Sequence, residues 1–105
     1  MTIQLISIYI SLLFSTTIYV TGHLRNHSSS KKYFTTSGRQ ILVKADNKII
    51  AQSRTDKRGD FKINFSDDAN IKSYNFYVIN SSDTLFLNSF STFDNETPEI
   101  TLFIK

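Results

Sequence analysis

The stretch from Thr55 to Phe65, TDKRGDFKINF, combines a turn signal with a strand signal. Asp56 can accept hydrogen bonds from backbone N–H groups at the first turn position, and Gly59 can supply the positive φ needed at the fourth. After the turn, apolar and polar residues alternate, which is typical of a strand with one face against a core. The apolar positions are Phe61, Ile63 and Phe65. The stretch therefore predicts a turn that completes a hairpin and leads into a half-buried strand.

The same alternation recurs on both sides of this stretch. Asp46-Asn47 supplies hairpin-turn chemistry upstream, and the polar groups 67–70 and 80–83 separate apolar runs downstream. The predicted strands cover residues 18–26, 41–45, 48–53, 61–65, 74–79, 85–90 and 100–104. Seven short strands without a helical apolar stripe after residue 22 predict an all-β, antiparallel sandwich.

The composition limits the class of protein. A chain of 105 residues fits one small domain, and 13% aromatic residues with only 3 Gly and 1 Pro exclude collagen-like and disordered classes. The sequence contains no Cys, which excludes a disulfide scaffold and a thiolate metal site. Stability must therefore come from an apolar core.

Charge is distributed unevenly along the chain. Residues 23–58 carry nine cations against two carboxylates, whereas the sequence from Gly59 onward is net acidic. A basic half can indicate a polyanion partner. We favour mutual neutralisation of neighbouring strands, because the cations do not form a repeat interleaved with aromatic residues, as stacking on nucleic-acid bases would need. No nucleic-acid partner is expected.

The N-terminal segment is read first as an export signal. Residues 3–20 contain no charge, and an apolar run up to Phe14 is followed by Ser15, Thr16 and Thr17. This order predicts a signal peptide over residues 1–17, cleaved near Ser15 to Ile18, and a domain over residues 18–105. A membrane anchor and a buried strand are the alternatives, in that order.

Three ordered motifs resemble a known family. Val20 to Asn26 (VTGHLRN), Gly38 to Val43 (GRQILV) and Thr55 to Ile63 (TDKRGDFKI) resemble the carboxypeptidase-regulatory-like domain, a prealbumin-like (transthyretin-like) β-sandwich. The matching positions are Gly22, Gly38, Thr55, Asp56, Gly59 and Phe61. The chain departs from the family pattern at Asn26, which replaces an acidic residue, in the absence of Pro before Gly38, and in a longer first loop.

The resemblance implies an exported, non-catalytic module. Such domains occur in bacterial cell-envelope proteins, alone or attached to transporters and peptidases, so another envelope protein is the expected partner. The prealbumin-like hydrolases end in Tyr-Arg-Gly-Ser, whereas this chain ends Leu-Phe-Ile-Lys. The resemblance thus disfavours the hydrolase branch.

The sequence predicts no catalytic, cofactor-binding or metal-binding residues. His23 and His27 are four apart, a spacing that brings ligands together on a helix but separates them on a strand. Ser28 to Ser30 lack the turn that positions a nucleophile, and the Asp residues lack calcium-loop spacing. Surface histidines, a flexible loop and turn caps are the simpler interpretations.

Two functions follow. The first is a structural or protein-interaction module outside the cytoplasm, either periplasmic, associated with the outer envelope or extracellular. The alternative is a module that binds a glycan or an anionic surface through the 27–37 loop. Its candidate ligand residues are Lys31, Lys32, Tyr33 and Phe34.

Overall fold

The computed structural model describes residues 16–27, 34–68 and 70–104. The predicted signal peptide, apart from Thr16 and Thr17, lies outside the described residues, and so do residues 28–33 of the predicted 27–37 loop, which include the candidate ligand residues Lys31, Lys32 and Tyr33. The described strands are β1 (Thr16–Asn26), β2 (Gln40–Ala45), β3 (Lys48–Arg54), β4 (Asp60–Asp67), β5 (Tyr74–Asn80), β6 (Asp83–Phe90) and β7 (Glu99–Ile104). None of these segments forms a helix that is long and apolar enough to cross a membrane.

The strands form two sheets that enclose one apolar core, so the all-β sandwich prediction is confirmed. One sheet has the order β4-β1-β7 and the other the order β3-β2-β5-β6. Each sheet contributes the apolar side chains of one face to the core. The least exposed of the large core side chains are Leu24, Ile41, Tyr74, Phe76 and Leu102.

The central strand β1 shows why alternation predicts burial well. Ile18, Val20 and Leu24 are buried, whereas Tyr19 and Arg25 between and beside them face outward. Successive side chains of a strand point to opposite faces, so apolar residues two apart meet the same core. The strand begins at Thr16, two residues before the predicted start.

The prediction of a fully antiparallel sandwich is wrong for one strand pair. β7 runs parallel to β1, with Ile100 beside Gly22 and Leu102 beside Leu24. The chain reaches β7 through a segment that already lies along β1, because the N–H groups of Tyr19 and Thr21 donate to the carbonyls of Glu96 and Pro98 at 2.7 and 3.0 Å. Alternation identifies a buried face but carries no strand direction.

The predicted hairpin between β3 and β4 is also wrong. β3 pairs with β2 in one sheet, whereas β4 pairs with β1 in the other. The turn from Asp56 to Gly59 therefore carries the chain from one sheet to the other. At the end of this turn the Gly59 carbonyl accepts a hydrogen bond from the Leu24 N–H of β1 at 2.8 Å, just before β4 pairs with β1. The burial of Phe61, Ile63 and Phe65 against the core of Ile41 and Val43 is nevertheless as predicted.

The hairpin between β2 and β3 is confirmed. Its turn residues Asp46 and Asn47 have φ values of 52° and 65°, the left-handed conformation that both central positions of a tight two-residue hairpin require. Asn and Asp tolerate this conformation better than other non-glycine residues. The turn places Lys44 and Lys48 at the end of the sandwich opposite to the turn from Asp56 to Gly59.

A side-chain hydrogen bond links the end of β4 in one sheet to the start of β5 in the other. The Tyr74 hydroxyl at the start of β5 donates to an Asp67 carboxylate oxygen at the end of β4, at 2.6 Å. Burial and this hydrogen bond raise the pKa of Tyr74 to about 12. Asp68 caps the connection, because its carboxylate accepts from the Asn70 N–H at 2.9 Å.

Candidate functional site

The sequence motifs converge at one end of the sandwich. We call this region the loop end and define it as Asn26, residues 34–39 and residues 55–60. It contains the end of β1, the segment that precedes β2 and the turn between β3 and β4. Four of its polar side chains bind backbone groups of the loop end itself, namely those of Asn26, Arg39, Thr55 and Asp56.

Asn26 holds the chain at Phe34. Its amide nitrogen donates to the Phe34 carbonyl at 2.7 Å, and its amide oxygen accepts from the Phe34 N–H at 3.0 Å. A carboxylate cannot donate, so an acidic residue here would make only the second bond. The departure from the family-like pattern at Asn26 thus has a local structural role.

Phe34 is a core residue in this structure. It is 9% exposed, and the Arg39 guanidinium lies 4.7 Å from the ring centroid. The Arg39 Nε–H also donates to the Thr35 carbonyl at 2.7 Å. Of the four predicted ligand residues, Phe34 alone is described, and its packing takes its ring away from a ligand in solvent.

Thr55 connects the two loops. Its buried hydroxyl donates to the Thr36 carbonyl at 2.6 Å and accepts from the Arg39 N–H at 2.8 Å. Its backbone completes the connection, because the Thr55 N–H donates to the Arg39 carbonyl and the Gly38 N–H donates to the Thr55 carbonyl. Gly38 has a φ of 66° and open space around it.

The turn chemistry predicted for Asp56 and Gly59 is confirmed. One Asp56 carboxylate oxygen accepts from the N–H groups of Arg58 at 2.8 Å and Asp60 at 3.0 Å. Gly59 has a φ of 84°, and a Cβ atom there would lie 2.7 Å from Thr36 Oγ1. Glycine is therefore required both for conformation and for contact with residues 34–39.

Gly22 and Phe61 form a steric pair across β1 and β4. They are register partners, and the Phe61 ring occupies the space that a Cβ atom on residue 22 would need. Phe61 is 3% exposed. These two motif positions, which are far apart in sequence, therefore depend directly on each other.

A charged cluster lies on the outer face beside the turn. Asp60 Oδ1 lies 2.8 Å from His23 Nδ1 and accepts a hydrogen bond from Arg25 Nη2 at 2.8 Å. The hydrogen bond with His23, followed by that with Arg25, lowers the pKa of Asp60. Arg25 also donates to the Arg58 carbonyl at 2.9 Å, and His23 Nε2 lies 3.7 Å from Glu99 Oε2. Arg25 belongs to the basic part of the sequence, whereas Asp60 and Glu99 belong to the acidic part. Their proximity agrees with the prediction that neighbouring strands neutralise each other's charges.

The two histidines have different neighbours. His23 faces Asp60, whereas the His27 ring packs edge-on against Phe103 with centroids 5.9 Å apart. Within residues 16–27, 34–68 and 70–104, no three His, Asp or Glu side chains converge as a metal site.

An open cleft of about 260 Å³ borders the charged cluster. It is lined by Thr21, Arg54, Asp56, Asp60, Phe61 and Lys62. Charges of both signs meet there on a shallow surface. The pairing of His23 and Arg25 with Asp60 was missed by sequence reasoning, because it depends on the β1–β4 register and leaves no local motif.

Comparison of the sequence with protein-family models gives no match, and comparison with curated proteins gives none. The resemblance carried by the three motifs therefore remains a prediction.

Proposed function

We propose that this chain is an exported, non-catalytic β-sandwich module, of the carboxypeptidase-regulatory-like and prealbumin-like type, with a structural or protein-interaction role at the cell envelope. The observation that carries the proposal is the use of the polar side chains at the loop end. Asn26, Thr55 and Asp56 each bind loop backbone, and Asp60 is paired with Arg25. Polar groups used in this way hold the conformation of the loop end, which supports a role as a rigid contact surface.

The charged cluster also favours binding over catalysis. A nucleophile needs an adjacent base that is itself oriented by a third group. His23 is oriented by Asp60, but its other ring nitrogen faces the Glu99 carboxylate at 3.7 Å, not a hydroxyl. This arrangement supports an ion-pair network on the sheet surface.

Export is tested with the N-terminal segment in isolation from the domain. We would fuse residues 1–27 to a passenger enzyme that is active only outside the cytoplasm. The matched control replaces Leu12 and Leu13 by Arg, because charge within the apolar stretch blocks its function as an export signal. Activity with the native segment and none with the control is the expected result. Equal activity in both fusions would contradict export through this segment.

A second candidate function is binding to a glycan or an anionic surface. Lys57 and Arg58 are exposed at the tip of the loop end, and Lys62 and Arg54 line the neighbouring cleft. Among the described residues, these exposed cations favour this function, whereas the Phe34 ring is packed in the core. A polyanion column tests it, because binding through cations weakens as salt screens the charges.

The column experiment has a charge-matched control. The double variant Lys57→Gln, Arg58→Gln should elute at lower salt than the native chain if the loop end binds the anion. Lys44→Gln, Lys48→Gln removes the same charge from the opposite end and should elute at higher salt than the loop-end variant. Equal shifts would indicate a response to net charge alone and contradict this second function.

A further inference from the structure

A cavity of about 230 Å³ lies between the end of β6 and the start of β7. These strands belong to different sheets, so the segment that joins them, residues 91–98, crosses from one sheet to the other and forms a wall of the cavity. Phe90 at the end of β6 pairs with Tyr74, which is bonded to Asp67 at the end of β4. The loop end lies at the start of β4, so the cavity occupies the other end of the sandwich.

Two half-buried phenylalanine rings line this cavity. Phe90 and Phe93 are stacked with ring centroids 5.4 Å apart. The Phe93 ring also contacts the rings of Tyr74 at 5.6 Å and Phe65 at 5.8 Å, which connects the pair to the apolar core. Rings fixed in this way present an aromatic surface to a ligand at little cost in conformational entropy.

The connecting segment is held against β1. The Glu96 and Pro98 carbonyls accept from the N–H groups of Tyr19 and Thr21 at 2.7 and 3.0 Å. Within the segment, the Asn95 side-chain oxygen accepts from the backbone N–H two residues later at 2.8 Å. The wall of the cavity is therefore fixed on one side by these hydrogen bonds and on the other by the stacked rings.

The cavity carries negative charge. Residues 91–104 contain Asp94, Glu96 and Glu99 and no Lys or Arg, and the first and last of these carboxylate residues line the cavity. Glu99 Oε2 lies 3.7 Å from His23 Nε2. Within the part of the chain that the structure describes, the exposed Asp94 side chain takes part in no hydrogen bond or ion pair. A cation is the charge that complements this site.

Arginine combines the two properties that the cavity requires. Its guanidinium stacks on aromatic rings, to which cations are attracted, and its N–H groups pair with a carboxylate. We propose that this cavity binds an arginine side chain of a partner protein, with the guanidinium in contact with the Phe90 and Phe93 rings and with the Asp94 carboxylate. The inference names a recognition element for the protein-interaction role proposed above and rests on that role.

Short peptides test this ligand class directly. The isotope-labelled protein is purified in the form in which cells produce it, so the result does not depend on processing of the N-terminal segment. It is titrated with the tripeptide Gly-Arg-Gly, acetylated and amidated at its ends, and the backbone amide shifts are followed by NMR. One control peptide contains citrulline, which keeps the length and planar end group of arginine without its charge. The other contains lysine, which keeps the charge without the planar group.

The inference predicts saturable shifts centred on residues 90–100. The citrulline peptide should bind at least about tenfold more weakly, because a neutral group loses the pairing with Asp94 and the attraction to the rings. The lysine peptide should also bind more weakly than the arginine peptide, because an ammonium does not stack flat on a ring. Absence of saturable shifts, shifts centred on the loop end, or equal affinity for arginine and either control peptide would each overturn the inference.

Two carboxylate variants locate the site. Asp94→Asn should weaken binding of the arginine peptide by about two- to fivefold, the range expected for an exposed ion pair. Asp83→Asn removes the same charge at an exposed position at the opposite end of β6 and should leave the affinity unchanged. Equal losses in the two variants would indicate a response to net charge alone and contradict the inference. An exported chain that does not bind the arginine peptide would overturn this inference and leave the export proposal intact.

Discussion

Asn26 illustrates how one side chain organises the loop end. Its amide makes two hydrogen bonds to the backbone of Phe34, eight residues later in the chain. The sequence alone shows only a polar residue at the end of a predicted strand. The pairing depends on where the chain returns after residues 28–33, and no local pattern encodes that path.

We predict that Asn26→Asp destabilises the protein by about 1–3 kcal/mol, because it removes a donor and leaves the Phe34 carbonyl facing a carboxylate. Asn64→Asp makes the same chemical change on the exposed face of β4 and should alter stability by less than about 0.5 kcal/mol. Urea unfolding measures both. Equal losses would show that Asn26 has no special role.

Gly22→Ala tests the steric pair on β1 and β4. The added methyl group meets the Phe61 ring, so we expect a loss of about 1–3 kcal/mol or more from overpacking. In the Phe61→Ala background the same substitution should cost far less, because the obstructing ring is gone. Thermal unfolding of the two single variants and the double variant measures this coupling. Additive losses would contradict the contact.

Asp60 gives a prediction for acid stability. Its pKa is lowered in the folded protein by hydrogen bonds from His23 and Arg25, so its ionised form favours folding. This contribution is complete above the ordinary Asp pKa of 3.8 and is lost as pH falls through the lower folded value. The native protein should therefore lose stability more steeply than Asp60→Asn between pH 5 and pH 2. Unfolding by urea across this range measures the difference.

The control for the acid experiment is Asp83→Asn at the exposed start of β6. Its stability profile should follow that of the native protein. Parallel profiles for the native chain and Asp60→Asn would show that the pairing with His23 and Arg25 does not favour the ionised carboxylate.

At the scale of whole strands, periodicity predicted burial but not pairing. The inward positions of β1, β4 and β5 follow directly from alternation, since every second residue of a strand faces the same side. Neither the parallel β1–β7 pair nor the crossing from β3 to β4 leaves such a pattern. The Asp56 to Gly59 turn was predicted because Asp and Gly act within four residues, whereas its destination in the second sheet depends on long-range contacts.

The register of β4 is tested by two adjacent substitutions. Phe61→Ala should cost about 3–5 kcal/mol, because it removes a buried ring. Lys62→Ala should cost almost nothing, since the side chain is exposed and only its backbone carbonyl accepts from Ser53. Denaturant unfolding compares them. If Lys62→Ala were as damaging as Phe61→Ala, the inward and outward assignments along β4 would be reversed.

At the scale of the whole molecule, the described residues form a sandwich whose loop end is held by its own polar side chains, and the segment before it is proposed to be an export signal. The fold class followed from the number and spacing of strands. The charged cluster of His23, Arg25 and Asp60 did not, because it forms only when β1 and β4 are in register. The identity of the edge strands likewise follows from the sheet order and not from any local pattern.

The central claim is that this chain acts outside the cytoplasm as a folded module. The most direct measurement is fractionation of cells producing the full chain, followed by N-terminal sequencing of the recovered protein. We predict a soluble protein outside the cytoplasm that begins between Thr16 and Tyr19, at the start of β1. Recovery of the chain from the cytoplasm with Met1 intact, or from membranes after a carbonate wash, would contradict the claim.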